Sequence, residues 1–305
     1  MKGSLDSERA TKTILVTGAS SGIGKAITET LSEAGCSVYA TVRKKKDLEA
    51  LGNLSNVRPI MMDVTKPAQV KRGISEIRKA RKGLYGVVNN AAIIDFWPMV
   101  ELEDQELRRS FEANVLGVQR VVRESVPLLA DSRGRIVNIS SLSGLVSTKF
   151  VGPYEMSKFA LEAYSDNLRR ELKGYGVTVV VVEPGGFRTN YAKTTAKVIQ
   201  RRARARVPTL MKKEVGEIAK IWREEVADVD QRASPSLVAE AVREALFADK
   251  PKHRYVVTAK EGEFRWALGK MMSRLIEVNG GSRYGLSKES LHQLLDERLT
   301  EVKDN

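Results

Sequence analysis

The run Tyr154, Glu155, Met156, Ser157 and Lys158 sets a phenol and a primary ammonium four positions apart. On a helix that spacing is about one turn, so both side chains share a face. A free tyrosine releases its proton only near pH ~10 and is a poor base at neutral pH. A lysine cation beside it favours the phenolate and brings that proton within reach. Such a pair can move a proton on and off a carbonyl or alcohol oxygen. Five residues recur by chance, so the pair takes its meaning from what else the chain holds.

A second chemical signal lies near the start. The apolar run Ile14, Leu15, Val16 leads through Thr17 into Gly18, Ala19, Ser20, Ser21, Gly22, Ile23 and Gly24. Glycines at a strand-to-helix turn let a pyrophosphate approach the backbone at the helix N-terminus. The spacing is G-x-x-x-G-x-G, not the common dinucleotide fingerprint G-x-G-x-x-G. The second apolar run ends in Val42 and Arg43, followed by Lys44, Lys45 and Lys46. Sites selective for NAD place a carboxylate there for the ribose 2′-hydroxyl. Here the acid is missing and a base is present, and an arginine pairs well with a 2′-phosphate. The expected cofactor is therefore NADP(H), with NAD(H) as the alternative.

Composition narrows the chemistry further. The single cysteine, Cys36, excludes a disulfide framework and a cysteine metal cluster. Only two histidines occur, His253 and His292, so a histidine triad or zinc site is not expected and no metal is needed. Net charge is +13, which suits polyanionic cofactors, acidic carriers or anionic membrane surfaces. No 18-residue apolar run and no signal-peptide pattern is present, so a cytoplasmic location is expected, with peripheral membrane contact as the alternative.

The elements that must carry these residues alternate. Strands are expected over 13–17, 37–42, 57–62, 84–89, 135–140 and 177–183, with a last one at 255–258. Several are continuous apolar runs, as parallel strands buried on both faces require. Helices are expected over about 23–34, 67–81, 104–130 and 154–173 between them. This alternation predicts an α/β fold: a doubly wound parallel sheet of about seven strands with a helical C-terminal extension. Residues 191–226 look helical and basic, with eight Lys or Arg and no acid between 193 and 213. Helices follow at 236–247 and 287–302. Phe264, Leu268, Met271, Met272 and Leu275 give an apolar helical stripe. The expected organisation is a tail at 1–11, a catalytic domain at 12–260 with a basic lid at about 190–226, and an extension at 261–305.

The motifs also occur in a familiar order. Thr17-Gly18-x-x-x-Gly22-x-Gly24, Asn89-Asn90-Ala91-Ala92, Asn114, Ser141, Tyr154, Lys158, Pro184-Gly185 and Thr189 resemble the short-chain dehydrogenase/reductase family, in its shorter, non-extended branch. The likeness spans about residues 12–260 and extends to retinol and 17β-hydroxysteroid dehydrogenase-like members. Ala92 departs from the family, which more often has glycine there. The resemblance implies a Rossmann fold and an NAD(P)-dependent oxidoreductase. It implies Tyr154 as general acid/base, with Lys158 lowering its pKa and holding the nicotinamide ribose. Ser141 would hydrogen-bond the substrate oxygen, preferred over Ser140 and Ser143 on spacing. Asn114 would hold a water linking Lys158 to solvent. Gly18, Ser20, Ser21, Gly22, Ile23, Gly24 and Arg43 would line the cofactor, Asp63 and Val64 would flank the adenine, and Asn90 and Ala91 would lie beside it. Pro184, Gly185 and Thr189 would complete that site, with Thr189 on the carboxamide.

Substrate is the least legible property. Residues 93–99, 145–152 and those after Gly186 are candidate pocket segments, and Phe96, Leu145 and Gly186 join Ser141 and Tyr154 as expected substrate contacts. An apolar pocket suits a bulky alcohol, ketone or aldehyde such as a steroid or retinoid. The basic lid suits a 3-ketoacyl thioester as the alternative. Alternatives of another class are a redox-inactive NADP-binding regulator and a membrane-surface interaction protein using 193–213 and 264–276. The family's usual dimer surfaces, 104–130 and 154–173, imply a homodimer or homotetramer. No nucleic acid partner is expected.

Overall fold

Runs such as Val179 to Val182 have no polar side, so a sheet built from them must be covered on both faces. In the computed structural model, which describes residues 12–205, 210–227 and 232–304, seven strands meet this requirement. They are β1 (Thr13–Val16), β2 (Ser37–Val42), β3 (Val57–Met61), β4 (Gly86–Asn89), β5 (Arg135–Ile139), β6 (Thr178–Pro184) and β7 (Arg254–Val257). All pairings are parallel, in the order β3-β2-β1-β4-β5-β6-β7. This is a Rossmann-like doubly wound α/β fold.

Alternation along each strand feeds two cores. Ile14, Val16, Val38, Ala40, Val88 and Val137 face α1 (Gly22–Glu33) and α9 (Ser236–Phe247) through Ile27, Leu31, Val242 and Leu246. Leu15, Tyr39, Val87, Ile136 and Val179 face the opposite way. They pack on α3 (Pro67–Lys79), α5 (Gly117–Asp131) and α6 (Gly152–Leu172). A short helix α2 (Lys45–Gly52), absent from the sequence expectation, follows β2; its charge-rich sequence buries only Leu51.

The helix expected over 104–130 is interrupted. α4 (Asp104–Phe111) passes through a wider π-helical turn at Glu112–Leu116 before α5 begins. Asn114 sits in that turn. An inserted residue of this kind is invisible to a 3.6-residue periodicity, and such bulges recur at functional sites.

The basic stretch expected over 191–226 forms two helices, α7 (Tyr191–Ala205) and α8 (Lys212–Ala227). Their apolar sides, Ile199, Val215, Ile218 and Trp222, make a third small core with Trp97 and Phe96. Phe96 meets Trp222 edge to face, with ring centroids 4.3 Å apart. Arg202 is not part of a solvated basic face. Only 5% exposed, it lies 2.5 Å from Asp95 Oδ1 and 2.9 Å from Glu106 Oε1, and donates to the Phe96 carbonyl. The Oδ1 contact is close but poorly aligned for a hydrogen bond, so it counts as an ion pair.

The chain divides into two compact units between Lys260 and Glu261. The second contains α10 (Glu261–Gly280) and α11 (Lys288–Asp304). Asn279 holds the turn between them, its Nδ2 donating to the Leu286 carbonyl and its Oδ1 accepting from the Leu286 amide. No described helix is long and apolar enough to cross a membrane.

Asp95 is 1% exposed, and stranding a buried charge costs about 3–5 kcal/mol. Arg202→Ala should therefore lower the thermal midpoint and speed hydrogen exchange through α7. Arg201→Ala, one residue away and exposed, should leave both unchanged.

Candidate active site

The strand order reverses around β1, whose neighbours are β2 and β4. In such sheets the crevice outside the carboxyl ends at this point is the usual binding place. The glycine turn leaves β1 there. Gly18 and Gly22 have φ of 67° and 56°, which suits glycine and strains other residues. A β-carbon on Gly24 would sit 2.3 Å from the Gly18 carbonyl oxygen and 2.4 Å from Asn90 Nδ2. The turn is anchored from β4: the Asn90 and Ala91 amides donate to Thr17 Oγ1, and Asn90 Nδ2 donates to the carbonyls of Thr17 and Gly18. From β2, Thr41 Oγ1 accepts from the Gly18 amide.

Ser21, which precedes α1, makes no side-chain cap, and the first turn of α1 carries no acid. The N-terminal amides of α1 are thus open to an anion, beside glycines that keep the backbone bare. Thr189 reaches the same place: a β-carbon on Gly22 would lie 3.1 Å from Thr189 Cβ. Gly185, after β6, donates its amide to the Val257 carbonyl. Ser20, Ser21 and Arg43 are exposed, and Ile23 is half-buried. Asp63 accepts from the amide and hydroxyl of Thr65 through Oδ1, so it shapes the turn after β3, and Val64 beside it is buried. These residues fit a dinucleotide with its pyrophosphate at the head of α1.

The residues expected to transfer the proton lie where α6 crosses the end of β5. Lys158 is 2% exposed, and its Nζ donates to the Ile139 carbonyl at 2.7 Å. The same Nζ is 5.5 Å from the centre of the Tyr154 ring. Burial pulls the Lys158 pKa down to about 8, while the charge of Glu162 works against that fall. Ser141, two residues beyond Ile139, accepts from the Ser143 amide and faces the Pro184 carbonyl at 3.4 Å.

Asn114 is locked in place. Its Oδ1 accepts from the Ile93 amide, and its Nδ2 donates to the Ile93 carbonyl and to Ser157 Oγ. Ser157 in turn donates to the Tyr154 carbonyl at 2.6 Å. The chain thus ties the π turn, the loop after β4 and the first turns of α6 together around Tyr154. Ser157 had no place in the sequence reading; its position on the same helix, one turn past Gly152–Tyr154, was the available signal.

The loops beside this site are also fixed. Trp97 donates its amide to the Phe150 carbonyl, and Phe150 holds φ at 71°, a strained value for an aromatic residue. Glu155, another residue the sequence did not single out, accepts from the amide and hydroxyl of Thr148 and is buried. Burial pushes its pKa up. Leu145 and Gly186 are half-buried near this end of the sheet, whereas Phe96 belongs to the small core under α7 and α8.

Comparison with known proteins agrees with this architecture. The sequence pattern of the short chain dehydrogenase family matches residues 12–200. An NADPH-dependent 3-dehydrocapnine reductase of Ornithobacterium rhinotracheale is 34% identical over 273 residues, covering 86% of this chain and 94% of that one. Retinol dehydrogenase 7 of Mus musculus is 32% identical over 258 residues, 80% of this chain and 79% of that one. A short chain dehydrogenase from Burkholderia cenocepacia, solved in complex with NADP, superposes with a TM-score of 0.66 at 25% identity, over 87% of this chain and 95% of that one. The chain belongs to the short-chain dehydrogenase/reductase family. It is an oxidoreductase that works with a nicotinamide dinucleotide.

One buried acid near the site sets a pH dependence. Glu183 at the end of β6 is fully buried, and burial followed by the Glu162 charge pushes its pKa up to about 7 from 4.5. A raised folded pKa gives stability that is complete below the unfolded value and lost as pH rises through the folded one. The Tm advantage of the wild type over Glu183→Gln should therefore be greatest near pH ~4.5 and shrink through pH ~7. A difference that stays constant across that window in thermal melts would refute the assignment.

Proposed function

We propose that the protein is an NADP(H)-dependent oxidoreductase that interconverts a secondary alcohol and a ketone, or an alcohol and an aldehyde, on a bulky apolar substrate. The observation that carries this reading is the buried Lys158 ammonium, held on the Ile139 carbonyl beside the Tyr154 ring, with Ser141 on the same strand end. The bound nicotinamide supplies or accepts the hydride at the carbonyl carbon. Tyr154 gives its phenolic proton to the oxygen as the C=O bond is reduced, and takes it back in oxidation. Ser141 donates a hydrogen bond to the same oxygen. The Lys158 cation stabilises the phenolate left behind and holds the nicotinamide ribose. Asn114 keeps the Tyr154 backbone in register through Ser157 and contributes to the proton path to solvent.

NADP(H) is favoured over NAD(H) by the exposed Arg43 and the absence of an acid at the end of β2. The name of the NADPH-dependent bacterial relative supports the same preference. The likeness to a retinol dehydrogenase supports an apolar substrate. A 3-ketoacyl thioester is the second reading, favoured by the exposed Lys193, Lys197, Arg201, Lys212 and Lys213 on α7 and α8. The protein is further proposed to work as a homodimer or homotetramer through α4–α5 and α6.

A screen of NADPH consumption with steroids, retinoids, aromatic ketones and 3-ketoacyl thioesters separates these readings. Tyr154→Phe should bind NADPH normally yet lower kcat by about a hundredfold or more; near-wild-type turnover would sink the mechanism. Arg43→Ala should weaken NADPH binding by about 10- to 100-fold, the worth of a charge-assisted hydrogen bond, with NADH binding unchanged. Equal weakening for both cofactors would refute the 2′-phosphate role.

A further inference from the structure

Beyond Lys158 lies a partly buried charged cluster that proton transfer to substrate does not use. Glu162 stands one turn further along α6, Asp166 one turn beyond that, Glu183 ends β6, and Arg254 starts β7. Arg254 Nη1 pairs with Glu162 Oε2 and, at 2.7 Å, with Glu183 Oε1. Its Nη2 pairs with Asp166 Oδ2 at 2.8 Å, and Arg169 pairs with Asp166 Oδ1 at 2.5 Å. Three carboxyl groups thus face two guanidiniums, so above the raised pKa of Glu183, about 7, one negative charge is left over. The neighbouring cation is the Lys158 ammonium, four residues before Glu162 on the same helix face.

Glu162 is turned partly toward that lysine's surroundings. Its Oε1 is buried and has no hydrogen-bond partner, and the same holds for Ser140 Oγ and Glu183 Oε2. Ser140 directly follows Ile139, the residue whose carbonyl holds Lys158. Ser140 Oγ and Glu162 Oε1 flank one small space: a β-carbon on Gly144 would start 2.7 Å from the first and 3.1 Å from the second. Arg254 therefore occupies only one edge of the Glu162 carboxylate, and the other edge keeps its charge on the side of β5 and the 142–144 turn.

We infer that Glu162 is a positioning residue for the active site, whose carboxylate, fixed by Arg254, keeps Lys158 an ammonium in its dry setting. The inference rests on the reading of Lys158 as the cation beside Tyr154. Burial alone drives a lysine toward its neutral form, and Glu162 is the charge that opposes this at Lys158. The other groups facing the cluster are Asp166, Arg169, Glu183, His253 and Arg254, with Tyr154 on the far side of Lys158. Burial followed by the Arg169 charge holds His253 below its usual pKa, so it adds no cation at neutral pH.

The test reads Lys158 directly. In lysine labelled with 15N, the Lys158 Nζ resonance is assigned by its loss in Lys158→Arg and followed against pH. Glu162→Gln keeps the shape and removes the charge; the Lys158 midpoint should fall by about one unit or more. NADPH affinity, followed by fluorescence, should weaken near pH ~7.5 and recover toward pH ~6 as the ammonium returns. An unchanged midpoint in folded Glu162→Gln overturns the inference. Glu162→Asp gives a second reading: it keeps the charge, so the midpoint should stay near the wild-type value, and a fall equal to that of Glu162→Gln overturns the inference equally. The titration needs no carbonyl substrate. A chain that shows the shift but reduces no carbonyl therefore refutes the catalytic reading and leaves this one standing.

Discussion

A buried ammonium must find an oxygen, and for Lys158 that oxygen is the carbonyl of Ile139. The bond joins the second turn of α6 to the last residue of β5, and much of the site hangs from that junction. Ser140 and Ser141 continue directly from the acceptor, and Tyr154 lies one turn back from the donor. The desolvation that lowers the Lys158 pKa also strengthens its field on any phenolate beside it. A lysine left in solvent would keep its charge but lose most of that influence.

Around this junction the polar groups are shared out with little left over. Asn114 spends both ends of its amide on Ile93 and Ser157, so the π turn, the loop after β4 and α6 cannot shift independently. The glycine turn is held in the same way by Thr17, Thr41 and Asn90, while its own amides at the head of α1 stay open. Rigid scaffolding and unspent donors are the combination that binding a pyrophosphate requires. The basic stretch over α7 and α8 divides into two roles. Arg202 turns inward to Asp95 and Glu106, whereas its exposed neighbours keep their charge on the surface.

Much of this is legible in the sequence alone. All seven strands begin within two residues of where the apolar runs placed them, because a buried parallel strand must be apolar on both sides. The turn at Gly18–Gly24 was legible because only glycine tolerates its backbone and close approaches. The break in the 104–130 helix was not, since a single inserted residue leaves the side-chain pattern almost intact. Nor was α2, whose eight residues carry too few apolar side chains to show a period.

The sequence by itself determined the class of chemistry: a tyrosine and a lysine one turn apart, a hydroxyl thirteen residues upstream, and a base where an acid would select NAD. Those are facts of local spacing, and spacing survives in one dimension. What only the tertiary structure decided is which charges are solvated and which are not. Phe96 and Trp97 read as pocket residues and instead pack under α7 and α8. Arg202 read as one of eight equivalent cations and is buried between two acids. Glu162, Glu183 and Arg254 come from α6, β6 and β7, and gather only when those elements meet. Burial and long-range pairing set the electrostatics of a site, and neither is written in the order of neighbouring residues.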